Sequence, residues 1–394
     1  MNVFFPLDLE EITDRGIYGD RGAILRLLVG FQSRIMVAER IASLIKLVTP
    51  LASKRPIRFG FVPAPDSGPL RYFAKGCELD FRQLVGHGFE FVPLSADTIT
   101  NIDVIVLTAH GTDISTSFWN FRSKLSPQTI VAIWLWDNHI SCMQSMRMAL
   151  MADFVFPSHR YLSSYLLNPV SVLALHVPAC SAQWSRSEAA QIFSNSVNEP
   201  RLDKALANYV EYPFSWRSEL LRRLQSEVSE VEALLMSPEN KTRYFSKSST
   251  ERLKEWIGYK ATIILPIDRD VSTRVFDALL AGEVLLVPSI VADLDEVIPP
   301  ADQKRLGIVR LSDVELPSIR AGIKQAMRVF DEGGVDGARA RHQYALDNHM
   351  LVHRVASILE RIREVAKGEL FPAFMPSNPT ESGLQLIQQP RRRS

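Results

Sequence analysis

Cysteine is scarce in this sequence: Cys77, Cys142 and Cys180 are the only three in 394 residues. They are odd in number and widely spaced, with no C-x-x-C pair. Neither a disulfide framework nor a zinc site is indicated, and a reducing compartment fits best. Charge of one sign is also missing, because 45 Lys and Arg stand against 44 Asp and Glu for a net charge of +1. No global field therefore draws the chain to nucleic acid or to an anionic membrane. No apolar run approaches the roughly 18 residues that span a bilayer. The opening "MNVFFPLDLEEITDRG" is acidic and lacks a basic n-region with a cleavage site, so no signal peptide is expected. The expected location is cytoplasmic, with peripheral contact to the inner face of the membrane as a variant.

What the sequence does contain is globular in kind, with 46% apolar and 23% charged residues. Its length suggests two domains. Residues 20–50 show helical apolar spacing with Arg26, Arg34, Arg40 and Lys46 interspersed. This N-terminal helical extension, residues 1–56, reads as docked on the protein's own core or on a second subunit, a homodimer. The other reading is an interfacial helix on anionic lipid.

From residue 57 short apolar strands alternate with helices: "IRFGFVP", "FEFVPL", "IDVIVLTAHG", "TIVAIWLWD", "ADFVFPS" and "VSVLAL". Continuous apolar strands separated by helices mark a parallel sheet covered on both faces, hence a Rossmann-like domain over 57–185. A polar stretch, 185–205, reads as a linker. A second alternating set over 200–366 begins with a helix "SWRSELLRRLQSEVSEVEALLM" and ends with a long helix over 337–366. The tail, 367–394, is Pro-rich and polar, with Arg391, Arg392 and Arg393 near its end, and reads as loosely ordered. The fold class is thus α/β, two Rossmann-like domains. Ligands of such sheets bind at the carboxyl ends of the strands, so two of them imply loops from both domains around a cleft.

The densest signal is "DRDVSTRVFDALLAGEVLLVPS", residues 268–289. Ser272 or Thr273 caps the start of a helix, where free backbone N–H groups suit a phosphate. Arg274 adds a planar, permanently charged fork for diphosphate oxygens. Asp277 follows one turn later, and the plain alternative is a surface pair at i, i+3. His110 follows the apolar strand "VIVLTA" and suits a general base at a strand end. Asp137, flanked by Trp134, Trp136 and His139, is its rival. His349 and His353 stand at i, i+4 but lack a third ligand, so no metal site is expected there.

The segment "YKATIILPIDRDVSTRVFDALLAGEVLLVPSIVADLDEVIP" resembles the nucleotide-sugar-binding half of GT-B glycosyltransferases, in particular the group 1 branch that includes spore-maturation-type enzymes. "RHQYALDNHMLVHRVASILERI" is similar to their closing helix. The resemblance implies a GT-B architecture with an acceptor domain first and a nucleotide-sugar domain second. It implies that Asp277, standing where the family usually has Glu, receives the ribose hydroxyls. Arg217, in "YPFSWRSELLRRL", is implied as a holder of the diphosphate. "DRD" also matches the D-x-D that holds a divalent metal in GT-A enzymes. The pattern is short, however, and it recurs at Asp293 and Asp295. The expected function is metal-independent transfer of a sugar from a nucleotide sugar to a hydroxyl-bearing acceptor of unassigned kind, with no cofactor. The alternative is a non-catalytic clamshell that senses nucleotide or sugar, or scaffolds a catalytic partner.

Overall fold

The computed structural model describes residues 39–53, 55–62, 77–95, 98–109, 123–136, 152–160, 173–212, 215–236, 246–267, 269–291, 293–375 and 383–388. A first sheet contains β1 (Ile57–Val62), β2 (Phe89–Phe91), β3 (Val104–Ala109), β4 (Ile130–Leu135), β5 (Phe154–Pro157) and β6 (Leu173–Ala174). A second sheet contains β7 (Leu202–Val210), β8 (Val231–Met236), β9 (Tyr259–Ile263), β10 (Val284–Pro288) and β11 (Val309–Leu311). Two last strands, β12 (Leu370–Met375) and β13 (Gly383–Gln388), extend the first sheet. The helices of the described residues include α1 (Cys77–Phe81), α2 (Arg186–Ser196), α3 (Trp216–Glu227), α4 (Ser249–Ile257) and α5 (Thr273–Leu280). They continue with α6 (Leu294–Val297), α7 (Pro300–Leu306), α8 (Leu316–Asn348) and α9 (Leu351–Ala366).

Strand order is β12-β13-β6-β5-β4-β3-β1-β2 in the first sheet and β11-β10-β9-β7-β8 in the second. Apart from the terminal β12–β13 hairpin, the registered pairs are parallel. Both sheets are therefore Rossmann-like, and they share one winding. The chain starts in an inner strand, steps outward once, then crosses back and runs to the other edge. The direction reverses between β1 and β3 in the first sheet and between β7 and β9 in the second. These are the topological switch points at which open α/β sheets bind ligands. β4 and β10 are buried at every residue, as strands covered on both faces must be.

The chain forms two compact units, one of residues 1–62, 92–176 and 358–394, the other of residues 63–91 and 177–357. The first packs Ile105, Leu107, Val131, Ile133 and Val155 into a core. The second packs Tyr209, Leu221, Leu224, Ile263, Leu286 and Ile319. Residues 39–48 are helical, bury Leu44 and Val48, and anchor through Arg40, whose Nη2 donates to Ala152 O and Asp153 Oδ1, both at 2.9 Å. That part of the N-terminal extension is thus a helix with a buried face. Residues 20–38 lie outside the described residues.

Four expectations need correction. The polar stretch 185–205 is not a linker. Ser185 caps α2 by accepting from Glu188 N, and α2 buries Ala189, Ile192 and Phe193 on one face before β7 begins at Leu202. The helix expected over 215–236 ends at Glu227, and Val231–Met236 pairs with β7 as β8. The helix expected over 337–366 breaks at His349 and Met350, where Ser181 N donates to His349 O at 3.0 Å and an isolated bridge joins Ser181 to Met350. The tail expected to be loosely ordered carries β12 and β13, paired antiparallel from Leu370–Gln388 to Met375–Gly383.

Gly282 closes the turn between α5 and β10 at φ +75°. A Cβ there would stand 2.8 Å from Ala338 O and 2.9 Å from Phe193 Cε2. Gly282→Ala combines left-handed strain with a backbone clash, so it should destabilise the second unit by roughly 2 kcal/mol or more. A thermal melt within one degree of the parent would contradict this.

Candidate functional site

The switch point of the second sheet lies between β7 and β9, and one buried tyrosine ties those two strands together at their carboxyl ends. Tyr209 is fully buried, its hydroxyl donating to Ile263 O at 2.9 Å and accepting from Leu265 N at 2.7 Å. Burial, opposed by the nearby Arg274 and by the Leu265 bond, raises its pKa.

Two arginines converge on this ring. Arg217, in the first turn of α3, places its guanidinium 4.7 Å from the Tyr209 ring centroid and 5.1 Å from that of Tyr212. Its Nη1 and Nη2 donate to Leu265 O at 3.5 Å and Val210 O at 3.3 Å, while Nε has no hydrogen-bond partner among the described residues. Arg274, in the first turn of α5, lies 4.2 Å from the same Tyr209 centroid. Its Nε donates to Asn208 O at 2.6 Å, and its Nη1 reaches Ser272 Oγ at 3.4 Å. Arg217 is buried and Arg274 half-buried. Among the described residues neither guanidinium has a carboxylate within ion-pair distance. Burial first, and then repulsion by Arg274, lower the pKa of Arg217, with Asp270 acting weakly the other way. Two cations held on carbonyls and ring faces, without a carboxylate partner among the described residues, make a positive spot that an anion would relieve.

The chain aims α5 at this spot. Ser272 has extended backbone and is the N-cap, its Oγ accepting from Arg274 N at 3.4 Å. Thr273 is the first helical residue and is half-buried. Of the two caps that the sequence allows, Ser272 and Thr273, the structure uses Ser272. Val275 N also donates to Ser272 O at 3.0 Å, so this terminus adds to the field of the arginines through the helix dipole. Asn208 contributes a further polar group: its side-chain amide is buried, and among the described residues neither Nδ2 nor Oδ1 finds a partner.

Asp277 is placed differently from expectation. It is 2% exposed, and its carboxylate is engaged inside the protein, Oδ1 by Ser181 Oγ at 2.7 Å and Oδ2 by Gln183 Nε2 at 2.9 Å. Gln183 is oriented in turn by Arg252 Nε, which donates to its Oε1 at 3.1 Å. Burial, only partly opposed by these hydrogen bonds, pushes the Asp277 carboxyl up to about 6. The physical reason for this placement is depth. At the fifth position of α5 the side chain meets the incoming 177–185 segment rather than the helix start. Asp277 and Arg274 form no ion pair.

The remaining candidates divide. His110 and Asp137 lie outside the described residues, as does Asp268 of the D-x-D pattern. Asp270 is buried, its Oδ1 accepting from Ile267 N at 2.7 Å and so shaping the loop before α5. Among the described residues no cluster of three His, Cys, Asp or Glu side chains is arranged to hold a metal. His349 and His353 flank the break between α8 and α9 instead of sharing one helix. His349 Nδ1 faces Arg354 Nη2 at 2.9 Å, and His353 Nδ1 faces Met350 N at 3.1 Å. No described helix is long and apolar enough to cross a membrane.

The residues that sequence reasoning missed are Asn208, Tyr209, Ser181 and Gln183. The first two sit on a strand whose pattern was not read. The other two are found only through the fold.

No protein-family model matches the sequence, and no curated protein matches it. Solved structures do. An α-glucosyltransferase in complex with UDP and a 13-mer DNA is similar at TM-score 0.48 and 10% identity, over 77% of this chain and 99% of that one. An α,α-trehalose 6-phosphate synthase from Burkholderia multivorans is similar at TM-score 0.43 and 12% identity, over 74% of this chain and 75% of that one. A chain of the GtfA/B complex is similar at TM-score 0.37 and 14% identity, over 75% of this chain; this chain spans 61% of its length.

Proposed function

We propose that this protein is a GT-B-type glycosyltransferase that moves a sugar from a nucleoside-diphosphate sugar to a hydroxyl-bearing acceptor. One observation carries the proposal. Arg217 and Arg274, without carboxylate partners among the described residues, meet beside the start of α5 at the β7/β9 switch point. A diphosphate suits that place by charge, by planar donors and by the helix terminus.

The same groups serve the chemistry. Cleaving the sugar–phosphate bond leaves negative charge on the diphosphate, and fixed cations stabilise that charge more as it grows. In this reading Arg217, Arg274 and the positive end of α5 at Ser272 take the place of a metal ion. His110 and Asp137, which follow β3 and β4 in sequence, are the proposed bases for the acceptor hydroxyl. Asp277 serves the site from behind, fixing α5 to the 177–185 segment.

That internal commitment of Asp277 favours one second reading, a clamshell that binds nucleotide without turnover. Incubating the protein with a panel of nucleotide sugars, with and without acceptor hydroxyls and with EDTA present, separates the two. Glycosyl transfer by this site gives release of free nucleoside diphosphate that survives chelation. Binding without release supports the sensor or scaffold, and release only with Mn²⁺ contradicts the metal-independent mechanism.

A further inference from the structure

Trp216 is out of place by the usual logic of a helix start. It is the first residue of α3, directly after the Ser215 cap, and it is 40% exposed although it is among the largest apolar side chains of the unit. Exposure of this kind usually accompanies a mobile side chain, but this indole is fixed. Its Nε1 donates to Ile267 O at 2.9 Å, across to the loop that leads from β9 into α5. The ring is therefore pinned to the carboxyl edge of the sheet between two segments that shape the proposed donor site. Arg217 is its neighbour in the chain, and the Nε of that guanidinium has no partner among the described residues.

The chemistry of the exposed indole is narrow. Its one polar hydrogen is already used by Ile267 O, so only the π-face remains to offer. A rigid aromatic face on the residue before Arg217, bonded to the loop that leads into α5, suits a ligand with a planar ring attached to an anion. We infer that Trp216 is the stacking platform for the nucleobase of the donor. This deepens the glycosyltransferase proposal and rests on it. Among the parts of a nucleotide sugar, the nucleoside stays on the protein through bond cleavage while the sugar leaves, so a stationary surface belongs with the base. Stacking tolerates any base, because each presents a π-face. On this account base selectivity comes from elsewhere in the site.

The test is calorimetric titration of the parent, Trp216→Ala and Trp216→Phe with three probes: inorganic pyrophosphate, a nucleoside diphosphate and the matching nucleotide sugar. The inference expects Trp216→Ala to bind pyrophosphate as the parent does. It should bind the nucleoside diphosphate and the nucleotide sugar equally more weakly, by roughly five- to a hundredfold. Trp216→Phe keeps a π-face and should recover most of the loss although it cannot bond Ile267 O, which separates stacking from support of the loop. Three results would overturn the inference. One is unchanged nucleoside diphosphate affinity in Trp216→Ala, which leaves the donor-site reading standing. Another is loss confined to the nucleotide sugar, which assigns the ring to the sugar. The last is a parent that binds none of the probes, which removes the donor site itself.

Discussion

Arg217→Ala should lose most of its affinity for a nucleoside diphosphate while its affinity for the corresponding nucleoside stays within about twofold. A charge-assisted hydrogen bond contributes about 1.5–3 kcal/mol, or roughly ten- to a hundredfold in affinity. Arg274→Ala should show the same pattern. If both guanidiniums grip one diphosphate, the double variant will lose less than the product of the two single losses. Arg217→Lys is the sharper probe. Lysine keeps the charge but cannot bond both Val210 O and Leu265 O while lying flat over the rings of Tyr209 and Tyr212. It should therefore rescue only part of the loss. Arg217 is buried, so a thermal melt of each variant must accompany the titrations. Equal loss of nucleoside and nucleoside diphosphate would place these arginines in support of the fold rather than on the phosphates.

The second large effect concerns Asp277 and pH. Its carboxyl titrates at about 6 in the folded protein, against 3.8 for an ordinary aspartate. Between those values the folded state holds a proton that the unfolded state has released. Stability from this group is therefore complete below about pH 4 and falls as pH rises through about 6. The loss is on the order of 2–3 kcal/mol, because a tenfold change in proton affinity corresponds to about 1.4 kcal/mol. Asp277→Asn cannot titrate, so it should flatten the stability profile between pH 4 and 7. It can still accept from Gln183 and donate to Ser181. Asp277→Ala strands both of those donors in a buried site and should destabilise the second unit by about 2–4 kcal/mol. Urea unfolding at pH 4.5 and pH 7 checks both variants. An Asn variant with the parent's slope over that window would show that another group titrates there.

Much of the fold was legible because its signal was local. "TIVAIWLWD" and "EVLLVPS" are continuous apolar runs that only doubly covered strands require, and they became β4 and β10. β7 was not legible. It opens on Leu202, Asp203 and Lys204, none of them buried, and its core face is built from Ala205 and Ala207, too small to stand out beside Tyr209. β8 was hidden for a different reason. "VEALLM" is rich in helix formers, and only pairing with β7 makes it a strand. At the site, Ser272 and Arg274 were readable because a cap and a first-turn cation lie within three residues. The engagement of Asp277 was not, since Ser181 and Gln183 stand more than 90 residues away in sequence. No pattern within α5 reports which carboxylate its neighbours have already claimed.

The central claim is that the β7/β9 switch point holds a diphosphate, and a crystal structure of the complex tests it most directly. The ligand is whichever nucleoside diphosphate binds tightest in the titrations, at saturating concentration. The account predicts diphosphate density at the start of α5, within hydrogen-bond distance of Arg274 and Arg217 and beside Ser272. Diphosphate bound elsewhere on the chain, or no bound nucleotide at saturation, would contradict it.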